Sequence, residues 1–181
     1  LNYSLNYDTW LLHYHEDKPH VHFCGKVARI QIQRLRTFLA ENPWPTWLVH
    51  EGQWPQVIKH AGTTIPVIHQ CALGQKGATG LPSKKPTAVI HNNEVFTQLF
   101  QNIRCNGKHQ HDKNWGCGPA LKRQQVWPWR FAELVVEGVA RICRNKRRLQ
   151  YAGGLIRPFS CLRKSYPTYP ELGTGPSDCL L

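Results

Sequence analysis

The feature that most restricts the fold is a short segment rich in metal-binding side chains, at the start of the stretch from residue 105 to residue 129. Its first thirteen residues contain two cysteines and two histidines: Cys105, His109, His111 and Cys117. Two thiolates and two imidazoles are a ligand set of closed tetrahedral zinc sites. Glycine at 107 lets the backbone reverse tightly enough for the ligands to converge. The pattern predicts a structural zinc ion. The alternative is a polar loop with incidental histidines and free cysteines, since the segment has no Cys-x2-Cys pair.

Charge indicates the kind of partner. The chain of 181 residues has 23 lysines and arginines against 11 aspartates and glutamates, a net charge of +12. Such an excess favours a polyanionic partner, and nucleic acid is the leading candidate. No apolar run reaches the roughly 18 residues of a membrane-spanning helix. The predicted nucleic-acid-binding residues lie after the cysteine–histidine segment: Lys122, Arg123, Arg141, Arg144, Lys146, Arg147 and Arg148. The alternative is a basic face that contacts only water.

Cysteine and methionine usage indicates location and origin. Seven cysteines, an odd number with uneven spacing, fit reduced thiols better than a secreted disulfide framework. We therefore expect an intracellular, reducing compartment, with the nucleus as one candidate. Methionine is absent, even from position 1, which suggests a fragment of a longer reading frame or a processed product.

Hydrophobic periodicity predicts an α+β fold with a small, mostly antiparallel sheet and two longer amphipathic helices. The predicted strands cover residues 8–16, 20–30, 47–49, 65–72 and 88–91. The predicted helical segments cover 32–42, one turn at 54–58, a helix capped by Asn92 or Asn93 that ends near 104, and a last helix opened by Pro128. The zinc ion would tie the loop between the last two helices.

A flexible basic loop at 74–87 is the predicted boundary between two halves. It separates a hairpin and helix unit at 1–73 from a two-helix cysteine–histidine module at 88–152. Residues 153–181 contain several prolines and glycines and are predicted to form an extended tail. The alternative is one domain spanning 1–160.

The predicted hairpin at the start of the chain suggests a second metal site. Residues two apart on a strand share a face, so pairing across a four-residue turn would align four histidines. They are His13, His15, His20 and His22. Because stacked imidazolium rings repel, this group should stay neutral, bind a metal or lie exposed to water.

One pair of these histidines carries a resemblance. The segment Lys18-Pro19-His20-Val21-His22-Phe23 resembles the metal-binding motif of HUH endonucleases. That resemblance implies a metal-dependent enzyme that nicks single-stranded DNA with a tyrosine on a downstream helix. The sequence departs from the pattern, because no tyrosine occurs between Tyr14 and Tyr151. The resemblance therefore implies a nicking enzyme or an inactive relative, and whether the chain is an enzyme stays open. The alternative is a plain strand with exposed or core histidines.

A second resemblance covers residues 91–148. Its matching residues are Arg104, Cys105, Gly107, His109, His111, Gln125, Trp127, Pro128, Glu137 and Gly138. The segment resembles a cysteine–histidine region in polyproteins of retrotransposon-type elements from some protists, which implies a mobile-element context and no particular activity. We therefore predict a nucleic-acid-binding domain with a structural zinc. The alternatives are the HUH-like enzyme and a scaffold or interaction protein without metal.

Overall fold

The computed structural model describes residues 6–112 and 125–152, the last five by their backbone alone. Its helices are α1 (Tyr7–Gln33), α2 (Trp54–Lys59), α3 (Glu94–Phe100) and α4 (Trp129–Ala152). Its strands are β1 (Leu39–Pro43), β2 (Val67–His69) and β3 (Pro86–His91), and short 3-10 helices cover Trp47–His50 and Gln70–Leu73. The predicted α+β class is confirmed, and the sheet is antiparallel as expected.

The sheet has β3 at its centre, in the order β1-β3-β2. Leu39 of β1 pairs with His91, and Val67 of β2 pairs with Ala88, both in antiparallel register. The five residues from 87 to 91 are all buried, because helices cover both faces of this strand. A strand with both faces covered is buried at consecutive positions rather than at alternate ones, and its middle residues Ala88, Val89 and Ile90 are all apolar.

Two hydrophobic clusters lie on opposite faces of β3. On one face, Ala88 and Ile90 pack with Trp54 of α2 and Ala28 of α1. On the other, Val89 packs with a larger group drawn from β2, α3 and α4: Ile68, Leu73, Phe96, Phe100, Phe131 and Leu134. The molecule is therefore layered, with α1 and α2 on one side of the sheet and α3 and α4 on the other.

The predicted hairpin over residues 8–30 is wrong, because this stretch forms the 27-residue helix α1. Asn6 caps it by accepting a hydrogen bond from the Thr9 N–H at 3.1 Å. Pro19 lies inside the helix although it removes one backbone donor, a change that ordinarily costs about 3 kcal/mol. Packing outweighs that cost. Gly25 allows Trp54 to approach within 3.0 Å of where a Cβ would lie, and the Trp54 indole donates to the Val21 carbonyl at 3.0 Å.

The predicted helix at 32–42 is also wrong. The chain leaves α1 through Leu35, whose φ of 52° is left-handed and whose side chain is 93 % exposed. It then enters β1, so Phe38 and Leu39 belong to the sheet region rather than to a helical stripe. The predicted strand at 47–49 is a 3-10 helix, and the predicted strand at 65–72 shortens to the three residues of β2.

Other predictions are confirmed. A helix begins with Pro55 in its first turn, β3 contains residues 88–91, and Asn93 caps α3 by accepting from the Val95 N–H at 3.0 Å. The last helix begins directly after Pro128, and it buries Phe131 and Leu134.

The loop at 74–87 does not divide the described chain into separate units. β3 follows this loop, whereas both of its neighbouring strands precede it. Gln70 accepts from the Gln75 N–H, and Gln75 in turn accepts from the Ser83 N–H, so the segment is held by backbone hydrogen bonds. One sheet thus joins both predicted halves. The predicted tail at 153–181 lies outside the described residues. No helix within 6–112 or 125–152 has an apolar stretch that could cross a bilayer.

Candidate metal centre

Four side chains that bind transition metals converge beside the β2 edge of the sheet. They are Cys71, Cys105, His109 and His111, and one ligand atom from each lies within 4.8 Å of the other three. Cys71 is buried, and the other three are partly buried. This group can hold a metal ion.

The end of β2 brings the two cysteines together. The His69 N–H donates to the Ile103 carbonyl at 3.1 Å, and the Cys105 N–H donates to His69 Nδ1 at 3.0 Å. Cys71 follows two residues after His69, in the 3-10 helix that ends at Gly74 with a left-handed φ of 88°. Two segments 34 residues apart are thereby fixed side by side, with one thiol on each.

A tight turn after Cys105 aims both histidines back at its sulfur. Gly107 has a left-handed φ of 72°, and its N–H donates to Cys105 Sγ at 3.3 Å. Farther along, the Asp112 carboxylate accepts from the Thr79 N–H and hydroxyl, both at 2.8 Å. The loop is therefore anchored at both ends, once at β2 and once at residues 74–86.

The three distances among Cys105, His109 and His111 fit one face of a tetrahedron. Cys105 Sγ lies 3.6 Å from His109 Nε2 and 3.3 Å from His111 Nε2, and the two Nε2 atoms lie 3.1 Å apart. Zinc–sulfur bonds of about 2.3 Å and zinc–nitrogen bonds of about 2.0–2.1 Å place S and N about 3.6 Å apart, and N and N about 3.3 Å apart. All three measured edges lie within about 0.3 Å of those values. The donor atoms thus already point toward one common centre.

Burial changes the pKa of two side chains at this site, Cys71 and His69. Burial, with the hydrogen bond and charge of the neighbouring Cys105 thiol, raises the pKa of Cys71 to about 11. Burial, with Lys84, Arg104 and His111, lowers the pKa of His69, so its Nδ1 can accept the Cys105 N–H as a neutral imidazole. A metal cation would change this balance, because thiols lose their protons when they coordinate.

The structure brings together three of the four predicted ligands. Cys105, His109 and His111 converge, whereas Cys117 lies outside the described residues. Sequence reasoning missed Cys71, whose place in the group comes from the pairing of β2 with residues 103–105. No pattern near Cys71 in the sequence indicates a partner at Cys105.

The predicted second metal site is wrong, because its four histidines lie on a helix. On α1, at about 100° per residue, His20 and His22 point about 160° apart and cannot bind one ion. His13 contacts Glu16 at 3.1 Å, His22 contacts Glu51 at 3.3 Å and His20 contacts Cys24 at 3.6 Å. His15 packs edge-on against Tyr14. The strand geometry on which the HUH resemblance depends is absent from this stretch.

The predicted nucleic-acid-binding residues are only partly described. Arg144, Lys146 and Arg147 are exposed on α4. Arg141 is half-buried and donates to Glu137 at 2.5 Å. Lys122, Arg123 and the side chain of Arg148 lie outside the described residues.

Comparisons with known proteins do not assign the chain: no family model, curated protein or solved structure matches it. The resemblance to retrotransposon-type polyproteins therefore stays a prediction. The functional argument depends on the metal-binding group and on the distribution of charge.

Proposed function

We propose that the chain is a nucleic-acid-binding domain stabilised by a zinc ion held by Cys71, Cys105, His109 and His111. The zinc site is supported by one observation: the donor atoms of Cys105, His109 and His111 lie 3.1 to 3.6 Å apart, close to the spacing of tetrahedral ligands. Mixed thiolate and imidazole ligands in tetrahedral geometry are typical of zinc. Four protein ligands leave no open position for a substrate, which favours a structural role.

Metal analysis of the purified full chain tests the ligand set. We expect one equivalent of zinc in the wild type and well under one in Cys71→Ser, since a hydroxyl replaces one thiolate. Cys143→Ser is the matched control, because Cys143 is exposed on α4 and does not belong to the group of four ligands. Cys117→Ser decides between the two candidate fourth ligands.

The outcomes separate the hypotheses. If Cys117→Ser loses the metal and Cys71→Ser keeps it, the ligand set read from sequence spacing is right and ours is wrong. A wild-type protein without bound metal, together with unchanged stability of Cys105→Ser, would remove zinc from the proposal and favour the scaffold alternative.

The proposal of nucleic-acid binding is supported by the net charge of the chain and by the positions of the lysines and arginines in the described residues. The 11 aspartates and glutamates can balance at most 11 of the 23 lysines and arginines, which leaves an excess of 12 cations. On α4, Phe131 and Leu134 bury one face, while Arg144, Lys146 and Arg147 extend from the exposed surface. Cations fixed on a rigid helix are suited to phosphate contacts, which position a nucleic acid without reading its sequence.

The salt dependence of the affinity for a single-stranded nucleic acid tests the proposed binding. Each cation on a phosphate of a single strand releases counterion, so log affinity should fall with log salt by about 0.7 per contact. We expect the combined change of Arg144, Lys146 and Arg147 to alanine to flatten that slope by about two and to weaken all sequences alike. Helix content should survive, because alanine is a better helix former.

The control triple variant removes the same charge elsewhere. Lys26, Arg36 and Lys59 are exposed and lie on or near α1 and α2, across the sheet from α4. Replacing these three with alanine should leave the slope nearly unchanged. Equal effects of the two triple variants would mean that net charge, and not α4, determines binding.

A further inference from the structure

A groove far from the metal centre has the composition of a ligand site. It lies between the first half of α1 and residues 42–51 and has a volume of about 290 Å³. Three aromatic side chains form much of its wall: Trp10, Tyr14 and Trp47. Neither the metal site nor the basic helix α4 accounts for this groove.

The aromatic rings form a connected platform. Trp10 and Tyr14, one turn apart on α1, stack with centroids 5.1 Å apart and planes only 16° from parallel. Trp47 closes against Trp10 at 6.1 Å and remains 61 % exposed. An exposed indole held against other rings offers a flat face for another ring, as in sites that stack bases.

Two carboxylates line the groove, Asp17 and Glu51, and Glu51 is already paired within the protein. Glu51 accepts a hydrogen bond from the Tyr14 hydroxyl, contacts His22 at 3.3 Å and lies 3.9 Å from the Lys18 ammonium. Its charge is therefore already matched within the protein. The same ammonium sits 5.2 Å from the centre of the Tyr14 ring, where a cationic ligand in an aromatic cage would otherwise bind.

Other lining groups supply what the edge of a base and its phosphate need. Asn42 and Thr46 line the groove and can donate and accept hydrogen bonds. Lys18 supplies a cation, Asp17 is the other carboxylate, and the His13 ring can donate or accept a hydrogen bond. A flat ring with a hydrogen-bonding edge and an attached negative charge matches this combination.

We propose that this groove binds an unpaired nucleobase of a single-stranded nucleic acid, stacked on the exposed face of Trp47 with its phosphate toward Lys18. The planes of Trp47 and Trp10 are tilted by 59°, so the base lies parallel to Trp47 and meets Trp10 at an angle. The inference deepens the proposed function and rests on it. It assigns the stacking of a base, with one phosphate contact, to the α1 side of the sheet and the other phosphate contacts to α4, so a bound strand would contact two separate surfaces.

An abasic probe separates stacking from charge. The full-length protein is titrated into fluorescein-labelled oligouridine of about ten nucleotides, and into an abasic strand with the same number of phosphates. Wild type should bind the oligouridine at least about fivefold more tightly, which is the lower range for one stacked base. Trp47→Ala should abolish that preference while binding the abasic strand as before.

Trp129→Ala is the matched control, since Trp129 is a 79 % exposed tryptophan on α4. It should keep the preference for bases. Equal thermal stability of both variants and wild type would show that neither change disturbs the fold, as expected for exposed side chains.

Each other outcome has one meaning. Equal binding of both strands by wild type, or an unchanged preference in Trp47→Ala, would overturn the base site and leave the proposed function standing. Binding to neither strand would overturn both. A peptide bearing trimethyl-lysine that binds wild type but not Trp47→Ala, without any preference for bases, would make the groove a cation cage and refute our assignment.

Discussion

Replacing Gly138 with alanine should destabilise the protein, although helix propensity predicts the reverse. Gly138 is buried in α4 where the helix crosses α3. A Cβ built there would lie 2.2 Å from Cε1, 2.7 Å from Cδ1 and 3.1 Å from Cζ of Phe96. Carbon atoms in favourable contact are separated by about 3.5–4.0 Å. The Phe96 ring would therefore have to move by more than about 1 Å.

The packing around Phe96 determines how much stability the Gly138→Ala substitution costs. The ring is 2 % exposed and packs against Phe100 at 6.2 Å and His91 at 5.8 Å between centroids. Overpacking a well-filled core usually costs about 1–3 kcal/mol, and a displacement of this size belongs at the upper end. Alanine recovers about 1 kcal/mol of helix propensity. The net change expected in the free energy of unfolding is a loss of about 2 kcal/mol.

Urea unfolding followed by circular dichroism measures this loss. Asn145→Ala is the control for propensity, because Asn145 is exposed on the same helix and should be neutral or slightly stabilising. In the double variant Gly138→Ala with Phe96→Leu, the smaller side chain should relieve the clash, so the two costs should fall short of additivity by about 1 kcal/mol or more. A Gly138→Ala protein as stable as wild type would refute the packing of α3 against α4 described above.

Two predictions concern pH. Burial lowers the pKa of His91 to about 4, so the native imidazole stays neutral while the unfolded one takes up a proton below about 6.5. The free energy of unfolding should therefore fall between about pH 6.5 and pH 4, by up to about 3 kcal/mol, and the fall should be smaller in His91→Asn when both are unfolded in urea at several pH values. Zinc affinity, measured by competition with a chelator, should rise with pH, because burial keeps Cys71 protonated with a pKa of about 11 and the metal must displace that proton. An affinity that does not depend on pH would exclude the thiols as ligands.

The sequence correctly predicted elements that depend on residues within one turn of the chain. It gave the wrong secondary structure where contacts with distant residues determine the conformation. The cap at Asn93 and the helix start after Pro128 follow from residues within one turn, and both are confirmed. The residues Glu16 to Pro19 favour a turn on the same local grounds, yet they lie inside α1. What reverses that preference is Trp54, more than thirty residues away, which fits against Gly25 and donates to the Val21 carbonyl. No local pattern in α1 shows that contact.

The ligands of the candidate metal centre show the same difference between local and long-range prediction. Cys105, His109 and His111 lie within seven residues, and their short spacing sufficed to predict that they meet. Cys71 joins them through one long-range pairing, the hydrogen bond between the His69 N–H and the Ile103 carbonyl. Spacing along the chain favoured Cys117 because it weighs only nearby cysteines. A fourth ligand that strand pairing brings close cannot be recognised from the spacing of ligands along the sequence.

The position of the group gives the proposed zinc ion a structural task different from the one expected from sequence. The ion was predicted to tie the loop between the last two helices, but Phe100 and Phe131 already join α3 to α4, with ring centroids 5.4 Å apart. The ligands instead lie along the outer edge of β2, a three-residue strand whose other side pairs with β3. An uncovered edge strand exposes backbone groups that can pair with another chain. Here residues 103–105 cover that edge through two hydrogen bonds to His69, and the ion would fasten this cover by joining Cys71 to Cys105. The hydrophobic core between α3 and α4 is packed without the ion. The edge of β2, in contrast, is covered by a short segment, and the proposed ion would fix that segment in place through its four ligands.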